Sequence, residues 1–453
     1  MLPPDPLILP NHIADVLSLL DDLGLPAWLV GGCLRDLLLG RAPKDWDFAT
    51  PCPPDLVREK LKGAGVPFWE TGFRHGTLTF RHRGAAYEIT TFRIDGPYED
   101  YRRPKWVEYT SSLREDLARR DFTVNALAYD RNEGLTDPFG GMEDMKNKII
   151  RAVGQPRDRL REDALRILRG IRFAGSLGFS LDSGLASAMT DQGELLSRIS
   201  PERLASELRA MLLLPSPRRA LELLAETGIW KYLAPEMTDA VGFDQHSAYH
   251  HLTLYEHLIQ TVENTPPELE LRLAALFHDI AKPPTMTIDE TGKSHYHHHE
   301  LIGADMTIKI MDRLRFSHDL RDRTALLIRR HMLHLKKPDE SSLRRIISDL
   351  PKPREDVLEQ VLLLQKADLF ASRYTERSLA AYDDFARRCR SVLDSGCPLD
   401  VTDLAVRGME LEGLGIAPPK RATALKALLA EVLQEPGHNQ RHILLQILEQ
   451  FRG

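Results

Sequence analysis

The stretch LVGGCLRDLLLGRAPKDWDFAT, Leu29 to Thr50, decides how this chain is read. An apolar entry meets Gly31-Gly32, a short run with helical spacing follows, and Asp45 and Asp47 stand one residue apart. Glycines carry no Cβ, so backbone there can approach a ligand closely. A helix starting at that point offers unpaired N–H groups and a positive dipole end, which suit a phosphate. Arg35 and Asp36 fall in its first turns. Asp45 and Asp47, at i and i+2, face the same side if they lie on a strand. Two carboxylates beside a phosphate cradle make a magnesium site, because Mg²⁺ takes oxygen ligands and shares them with substrate phosphates. Singly, a glycine pair reads as a loop and a D-x-D as a solvated strand end. Their order and closeness give them joint meaning. The pattern is neither the G-x-G-x-x-G of dinucleotide binding nor a Walker loop.

Outward from this stretch, residues 11–25 read as an amphipathic helix, and AWLVGG, TLTFRH and AAYEITTFR as short strands, with a helix beginning near Pro54. Strand signals fade after about residue 140, where Leu-rich helical segments alternate with breaks such as LPSPRR, NTPPE, KPPT and LPKPRE. The expectation is an α+β chain: a mixed sheet with helices over residues 1–145, an all-helical neck over 146–240, a helical body over 241–397 and a helical tail over 398–453.

At 453 residues the chain is too long for one ordinary core. Its 42% hydrophobic and 28% charged content is that of a folded soluble protein. Cys33, Cys52, Cys389 and Cys397 show no metal or redox spacing, which argues against a disulfide scaffold or zinc knuckle and fits a reducing cytoplasm. MLPPDPLILPNH does not read as a signal peptide, and no stretch reads as a membrane span. The net charge of −6 is a global sum, whereas nucleic-acid binding depends on local patches. Such a patch runs from Tyr101 to Arg172 and includes Arg102, Arg103, Lys105, Arg119, Arg120, Lys146, Lys148, Arg151, Arg157, Arg159 and Arg161; its plain reading is a solvated face.

Within that patch, LREDALRILRGIRF sets Asp163, Arg166, Arg169 and Arg172 in a slanting polar row on a helix, with Ile167, Leu168, Ile171 and Ala174 on the other side. Guanidinium forks in such a row can pair with phosphates or base acceptors, and Asp163 can accept from an exocyclic amine. The bland version is an i, i+3 salt-bridge ladder. In LREDLARRDFTVNALAYD, Arg120 is placed to meet a triphosphate, while Asp121 and Asn125, with Asn125 at a helix start, read either as caps or links that hold the site, the favoured role, or as direct ligand contacts.

Together, LVGGCLRDLLLG…KDWDFAT, GFRHGTLTF, RRDFTVNALAYD, DPFGG and REDALRILRGIRFAGSLGF resemble the class II CCA-adding enzymes (tRNA nucleotidyltransferases) and the related bacterial poly(A) polymerases, over roughly residues 25–240. The resemblance implies a nucleotidyltransferase palm in which Asp45 and Asp47 are catalytic and hold Mg²⁺. Gly32, Arg35 and Arg120 contact the incoming phosphates, Asp163 and Arg166 read the Watson–Crick edge of CTP or ATP, and Arg169 and Arg172 support the same nucleotide. It implies attack by a tRNA 3′-hydroxyl on the α-phosphate with release of pyrophosphate, and so template-independent CCA addition. Glu88 is either a third acid near the metals or a strand residue paired with Arg93. IDGPYEDYRRPKWVEYT resembles the loop that CC-adding relatives lack, and GFRHGTLTF stands where poly(A) polymerases usually carry G-R-R/K-F. An enzyme adding only the terminal A, or a poly(A) polymerase, is the near alternative.

Residues 246–370 hold most of the seventeen histidines. His257, the dipeptide His278-Asp279 on an apolar helix, and Asp368 far downstream resemble the HD phosphohydrolase superfamily in order. That resemblance implies a second divalent metal, Mn, Ni, Mg or Fe. It also implies hydrolysis of 2′,3′-cyclic phosphates or phosphomonoesters at RNA ends; the plain alternative is an inherited scaffold without metal. In HYHHHE only His299 sits where such relatives use an extra ligand, the adjacent histidines reading as loop; His331 follows in RRHM. In the tail, Lys420, Arg421 and Arg441 are placed either to touch RNA phosphates or to serve a plain helical cap. The expected partners are tRNA, CTP and ATP, with no membrane, and the assembly a monomer or homodimer. A reading of another class is a metal-dependent phosphohydrolase whose head only binds RNA.

Overall fold

The computed structural model describes residues 7–96, 105–246, 252–333 and 338–451. The chain forms two compact units, Met1–Thr238 and Asp239–Gly453.

The first unit opens with α1 (Asn11–Asp22), which buries Ile13, Val16, Leu17 and Leu20 at the i, i+3, i+4, i+7 spacing of one helical face. A seven-stranded mixed sheet follows, in the order β3-β4-β5-β2-β1-β8-β9. Its strands are β1 (Trp28–Val30), β2 (Asp47–Thr50), β3 (Phe68–Gly72), β4 (Thr77–His82), β5 (Ala85–Thr91), β8 (Ala128–Asp130) and β9 (Gly134–Thr136). Within this sheet, among the described residues, only β2 and β5 pair in parallel, with Asp47 opposite Glu88 and Phe48 opposite Ile89. Along β5, Tyr87, Ile89 and Thr91 are buried while Glu88 is exposed, so period-2 alternation separates a core face from an open face. A two-stranded ribbon of β6 (Arg93–Asp95) and β7 (Val107–Tyr109) flanks the centre of the segment that resembles the loop CC-adding relatives lack. Its centre, residues 97–104, with Arg102 and Arg103, lies outside the described residues. Helices α2 (Gly32–Leu38), α3 (Pro54–Gly63), α4 (Leu113–Ala118) and α5 (Gly141–Asn147) complete the head.

Beyond it come α6 (Pro156–Glu162), α7 (Arg166–Leu177), α8 (Ser183–Gln192), α9 (Pro201–Leu212), α10 (Arg218–Glu226) and α11 (Trp230–Leu233). The only strands here are the two-residue pair β10 (Ile149–Ile150) and β11 (Ser180–Leu181), in keeping with the fading strand signal.

Three expectations need correction. Asp45 is not on the strand: β2 begins at Asp47, and Asp45 lies in the bend before it. The polar row is not one continuous helix. The chain breaks at Asp163, whose φ of −137° is extended, and the Asp163 carboxylate accepts from the Leu165 N–H to start α7 afresh. An Asp that satisfies a free N–H at a helix start competes with continuing the helix through itself. Asn125 ends a 3₁₀ turn, Thr123–Asn125, rather than opening an α-helix.

The second unit is helical except for a small ribbon, β12 (Met286–Ile288) against β13 (Ser294–Tyr296). Its helices are α12 (Leu254–Glu263), α13 (Leu269–Phe277), α14 (Lys282–Thr285), α15 (His299–Arg313), α16 (His318–Arg330), α17 (Glu340–Ser348), α18 (Arg354–Ala371), α19 (Glu376–Asp394), α20 (Gly408–Gly413), α21 (Pro418–Gln434) and α22 (Arg441–Leu448). A Thr253–Glu256 capping box fixes the start of α12 and with it the register of His257. Leu404, Leu411, Leu428, Val432, Leu444 and Leu448 form a separate apolar cluster in the tail. Among the described residues no helix is long and apolar enough to cross a membrane.

Candidate functional site

Gly31 ends β1 in the left-handed region, φ 77°, and caps α2. A Cβ there would stand 2.8 Å from Nη1 of Arg120, so the position needs glycine both for its backbone and for the approach of that guanidinium. Gly31, Gly32, Arg35, Asp45, Asp47, Arg120, Asp163, Arg166 and Arg169 all line one open cavity of about 540 Å³, together with Arg119, Asp121, Asn125 and Phe173. Every residue placed in the head by sequence is on that wall except Arg172, which turns its Nε to Glu207 Oε2 at 2.6 Å, and Glu88.

One end of the cavity is acidic. Burial raises the Asp47 carboxyl above its ordinary range, Arg120 pulls it down, and Asp45 pushes it up again. The Glu88 carboxyl is raised by the partial desolvation of its position on the open face and by Asp47 and Asp45. The two raised carboxyls, Asp47 and Glu88, with the Asp45 carboxylate close by, leave a place for a cation, and their all-oxygen donor set suits a hard divalent ion. Arg93 gives its guanidinium to Asp95, 3.0 Å away, and to the His75 carbonyl, and Glu88 stands in register with Asp47 across the parallel β2–β5 pair.

The other wall is cationic and tightly wired. Asp121 accepts from Asn125 Nδ2 (2.9 Å) and Arg169 Nη2 (2.7 Å), and Asn125 in turn accepts from Arg35 Nη1 (2.7 Å). Burial opposes charge on Asp121, but Arg169 and the Asn125 hydrogen bond outweigh it and bring its carboxyl down to about 2. Asp121 and Asn125 are therefore links, the role the sequence favoured. Arg35, Arg169 and Arg172 all pack on the Phe173 ring, at 5.0, 5.3 and 4.5 Å from its centroid. The wholly buried Asp116 takes both Arg119 (2.8 Å) and Arg120 (3.3 Å). Among the described residues Arg120 Nε is buried without a hydrogen-bond partner.

At the far end, Arg166 donates to the Arg159 carbonyl (2.9 Å), the Arg119 carbonyl (3.1 Å) and Glu162, which uses three of its five N–H groups. Asp163 is held by Arg203 Nη2 at 3.2 Å. Sequence reasoning missed Arg203, Glu207 and Phe173. The first two lie on α9, and only their i, i+4 spacing hinted at a shared face.

In the second unit, His257, His278, Asp279 and Asp368 meet. His257 Nε2 is 3.1 Å from Asp368 Oδ1 and 3.5 Å from Asp279 Oδ2, and His278 Nε2 is 3.2 Å from Asp279 Oδ2. His257 and His278 are wholly buried. Burial disfavours charge on His278, yet Asp279 and Asp368 push its pKa up to about 10. His299 joins the cluster, with its Nε2 3.0 Å from Asp279 Oδ1, while His297 and His298 are exposed loop residues. The sequence named His331 without assigning it a role; its Nε2 is 3.6 Å from the same oxygen. Lys282, also missed, reaches Asp279 Oδ2 at 2.6 Å and Gln245 Oε1 at 2.8 Å. Asp279 Oδ1, His299 Nε2 and His331 Nε2 are buried and make no hydrogen bond of normal geometry among the described residues. Orphaned donors and acceptors facing one another in a nitrogen-and-carboxylate set fit a transition-metal ion. In the tail, Arg421 donates to the Ile416 carbonyl at 3.0 Å and Arg441 lies 3.6 Å from Glu410, contacts of a helical cap.

Comparison with known proteins agrees with this division. The poly A polymerase head domain family matches residues 27–151, the probable RNA and SrmB-binding site of polymerase A matches 178–241, and the HD domain matches 248–372. Nucleotidyltransferase and HD domains generally use divalent metals. The CCA-adding enzyme of Geobacillus sp. (strain WCH70) is 47% identical over 218 residues, 48% of this chain and 53% of that protein. That of Geobacillus stearothermophilus is 47% identical over 219 residues, again 48% and 53%. The chain thus spans about half the length of the curated relatives it matches. The crystal structure of the Bacillus stearothermophilus CCA-adding enzyme in complex with CTP superposes with a TM-score of 0.70 at 28% identity, covering 98% of each chain.

Proposed function

We propose that this chain, which belongs to the family of class II CCA-adding enzymes and poly(A) polymerases and carries an HD domain, builds or repairs the 3′-CCA end of tRNA from CTP and ATP without a nucleic-acid template. The observation that carries this is the convergence in one cavity of Gly31, Asp45 and Asp47 with Arg120, Asp163 and Arg166, drawn from segments more than a hundred residues apart.

The geometry supports a task for each group. Asp45 and Asp47, with Glu88 beside them, would hold Mg²⁺, which when bound lowers the pKa of the tRNA 3′-hydroxyl and neutralises charge on the departing pyrophosphate. Arg120, whose Nη1 passes close over Gly31 on the cavity wall, would meet the triphosphate, and the glycine keeps room for that guanidinium. Arg35 and Arg169, stacked on Phe173, present fixed positive charge where the phosphates lie. Asp163 accepts the exocyclic amine shared by cytosine and adenine, and the two uncommitted N–H groups of Arg166 meet the adjacent base acceptors. A base lacking that amine fails to fill the acceptor that Asp163 offers the nucleotide, which disfavours UTP. The 3′-oxygen bonds to the α-phosphorus as the bond to the β-phosphate oxygen breaks, so one nucleotide is added and one pyrophosphate leaves. Phosphate contacts along the basic neck position the tRNA, and a tRNA substrate places the enzyme in the cytoplasm.

The second site supports a separate reading for the body: His257, His278, Asp279 and Asp368 hold a transition-metal ion that hydrolyses 2′,3′-cyclic phosphates or phosphomonoesters at RNA ends. The orphaned atoms around Asp279 favour it over an inert scaffold. Four domains, 1–145, 146–240, 241–397 and 398–453, remain the proposed division of labour.

The test is incubation with tRNA lacking CCA, with Mg²⁺ and CTP, ATP or both, resolved at single-nucleotide length. Three additions only with both nucleotides support full CCA addition. Extension only of tRNA already ending in CC, by one A or by a long tail, moves the chain to the A-adding or poly(A) branch. Incorporation that survives Asp45→Ala with Asp47→Ala overturns the head assignment and leaves the phosphohydrolase reading.

A further inference from the structure

Asp47 stands at one end of a row of side chains that crosses the sheet. It pairs in register with Glu88 on β5, Glu88 with Thr79 on β4, and Thr79 with Trp69 on β3. Residues in register on neighbouring strands point to the same face of a sheet. The period-2 burial agrees. Leu78, Phe80, Tyr87 and Ile89 are buried, whereas Thr79 is half-buried and Glu88, Arg81 and Trp69 are exposed. Trp69, at the far end of the row on the edge strand, is 45% exposed.

The chemistry of this face suits a nucleic-acid strand. Arg81 lies over the Trp69 ring, its guanidinium carbon 5.4 Å from the centroid, and it makes no ion pair among the described residues. An aromatic ring beside an uncommitted cation offers a base a stacking surface and a phosphate a counter-charge. Between the ring and the acids, hydroxyls take the place of charges: Thr71 and Thr79 pair at 2.7 Å, and Thr77 and Thr90 at 2.9 Å. Hydroxyls both donate and accept, which matches the ribose 2′-hydroxyl. Strands lie about 4.8 Å apart, so three spacings put Trp69 roughly 14 Å from Asp47. At about 3.4 Å per stacked nucleotide, that is the length of about four nucleotides.

The direction of attack selects the same face. At a transferring phosphorus the attacking and leaving oxygens stand roughly in line. In the reading of the head given above, the triphosphate lies at Gly31, Gly32 and Arg120, at the end of β1. In the sheet β1 flanks β2 on one side and β5 on the other. Pyrophosphate that departs toward β1 requires a 3′-oxygen that arrives from β5.

We propose that the 3′ end of the RNA runs across the open face of β5, β4 and β3, with a base near its end stacked on Trp69, a phosphate at Arg81 and ribose hydroxyls over Thr79 and Thr71. Stacking tolerates any base, so one platform serves each successive end as the strand grows. Trp69, Thr79 and Arg81 lie outside the cavity wall that carries Asp163 and Arg166, so acceptor strand and incoming nucleotide are held by different residues. This rests on the reading of the head as a nucleotidyltransferase.

The experiment uses the full chain with Mg²⁺, CTP and tRNA lacking CCA, and measures KM for the RNA and for CTP separately. Trp69→Ala should raise KM for the RNA on the order of tenfold and leave KM for CTP within about twofold of the parent. Trp69→Phe, which keeps a ring, should recover most of the loss. Arg81→Gln should raise KM for the RNA and flatten its dependence on salt. A second measurement needs no variant. The same tRNA, carrying thiouridine at each of its last three positions in turn, is irradiated with the unaltered chain, and the attached peptide is identified by mass spectrometry. Attachment within residues 68–82 supports the platform; attachment to neck helices alone overturns it. An unchanged KM for the RNA in folded Trp69→Ala overturns the platform and leaves the head reading standing. If Trp69→Ala instead alters the sedimentation of the chain with KM for the RNA unchanged, Trp69 belongs to a contact between copies and the RNA strand is again overturned. A parent chain that incorporates no nucleotide overturns both the head reading and the platform.

Discussion

Arg203 holds Asp163: its Nη2 lies 3.2 Å from the carboxylate, from a helix forty residues further along the chain. One turn on, Glu207 of the same helix takes Arg172 at 2.6 Å. α9 thus grips both ends of the polar row, Asp163 on the cavity wall at the break before α7 and Arg172 off it within α7. Asp163, no longer inside a helix, depends on this grip for its direction.

Arg203→Gln should therefore act on nucleotide choice more than on chemistry. A hydrogen bond to a charged group contributes about 1.5–3 kcal/mol. We expect KM for CTP and ATP to rise on the order of tenfold or more, with kcat changed far less, and discrimination against UTP to fall. Arg203→Lys should restore part of it. Steady-state kinetics with each nucleotide check this; unchanged CTP-to-UTP selectivity in a folded variant would leave Arg203 a mere packing residue.

Gly31→Ala should cost both stability and activity. The position combines a φ of 77° with a Cβ site 2.8 Å from Arg120 Nη1. A left-handed non-glycine residue costs about 1 kcal/mol or more. The guanidinium must also retreat from its place on the cavity wall, where the proposed triphosphate site is. Thermal melting and single-turnover incorporation measure the two effects; a variant with full incorporation would show that Arg120 has another route to the phosphates.

Phe173→Leu separates charge-stacking from burial. Leucine keeps an apolar side chain in the same place but loses the face on which Arg35, Arg169 and Arg172 pack. Each exposed cation–π contact contributes about 0.5–1 kcal/mol. The expected result is a several-fold rise in KM for both nucleotides, with a melting temperature only a few degrees lower. A collapse of the fold would instead make the ring chiefly a core residue.

What the sequence made legible is what lies along one stretch of chain. The glycine pair and the D-x-D near it announced the cavity, and period-2 alternation announced β4 and β5. The shorter strands β8 and β9 carry only three residues each, too few to show a period, although they complete the sheet beside β1. The break at Asp163 was hidden because the surrounding residues keep helical spacing on both sides of it. Arg203, Phe173 and Lys282 were invisible for a different reason: their roles come from partners brought together by packing, and no local pattern distinguishes an Arg that holds an Asp forty residues away from a solvated one.

Acid should loosen the first unit through Asp121. Its carboxyl stands at about 2 in the folded chain against an ordinary 3.8, because Arg169 and Asn125 outweigh the cost of burial. A group whose folded pKa is depressed adds stability that is fully present above the unfolded value and is lost as pH falls through the folded one. That window here runs from about pH 4 down to about pH 2, and the gap between the two values corresponds to roughly 2 kcal/mol, an upper figure since Arg169 is partly open to solvent. Asp121→Asn removes the titration. At pH 7 the variant should be the less stable by on the order of 1–2 kcal/mol, and the difference should narrow as pH drops below 4, since the native carboxyl is then losing the same charge. Urea denaturation of both proteins at a series of pH values measures it. A difference that stays constant from pH 7 to pH 3 and below would mean that Asp121 acts through hydrogen-bond geometry alone and that its ionisation does not hold Arg169 over Phe173.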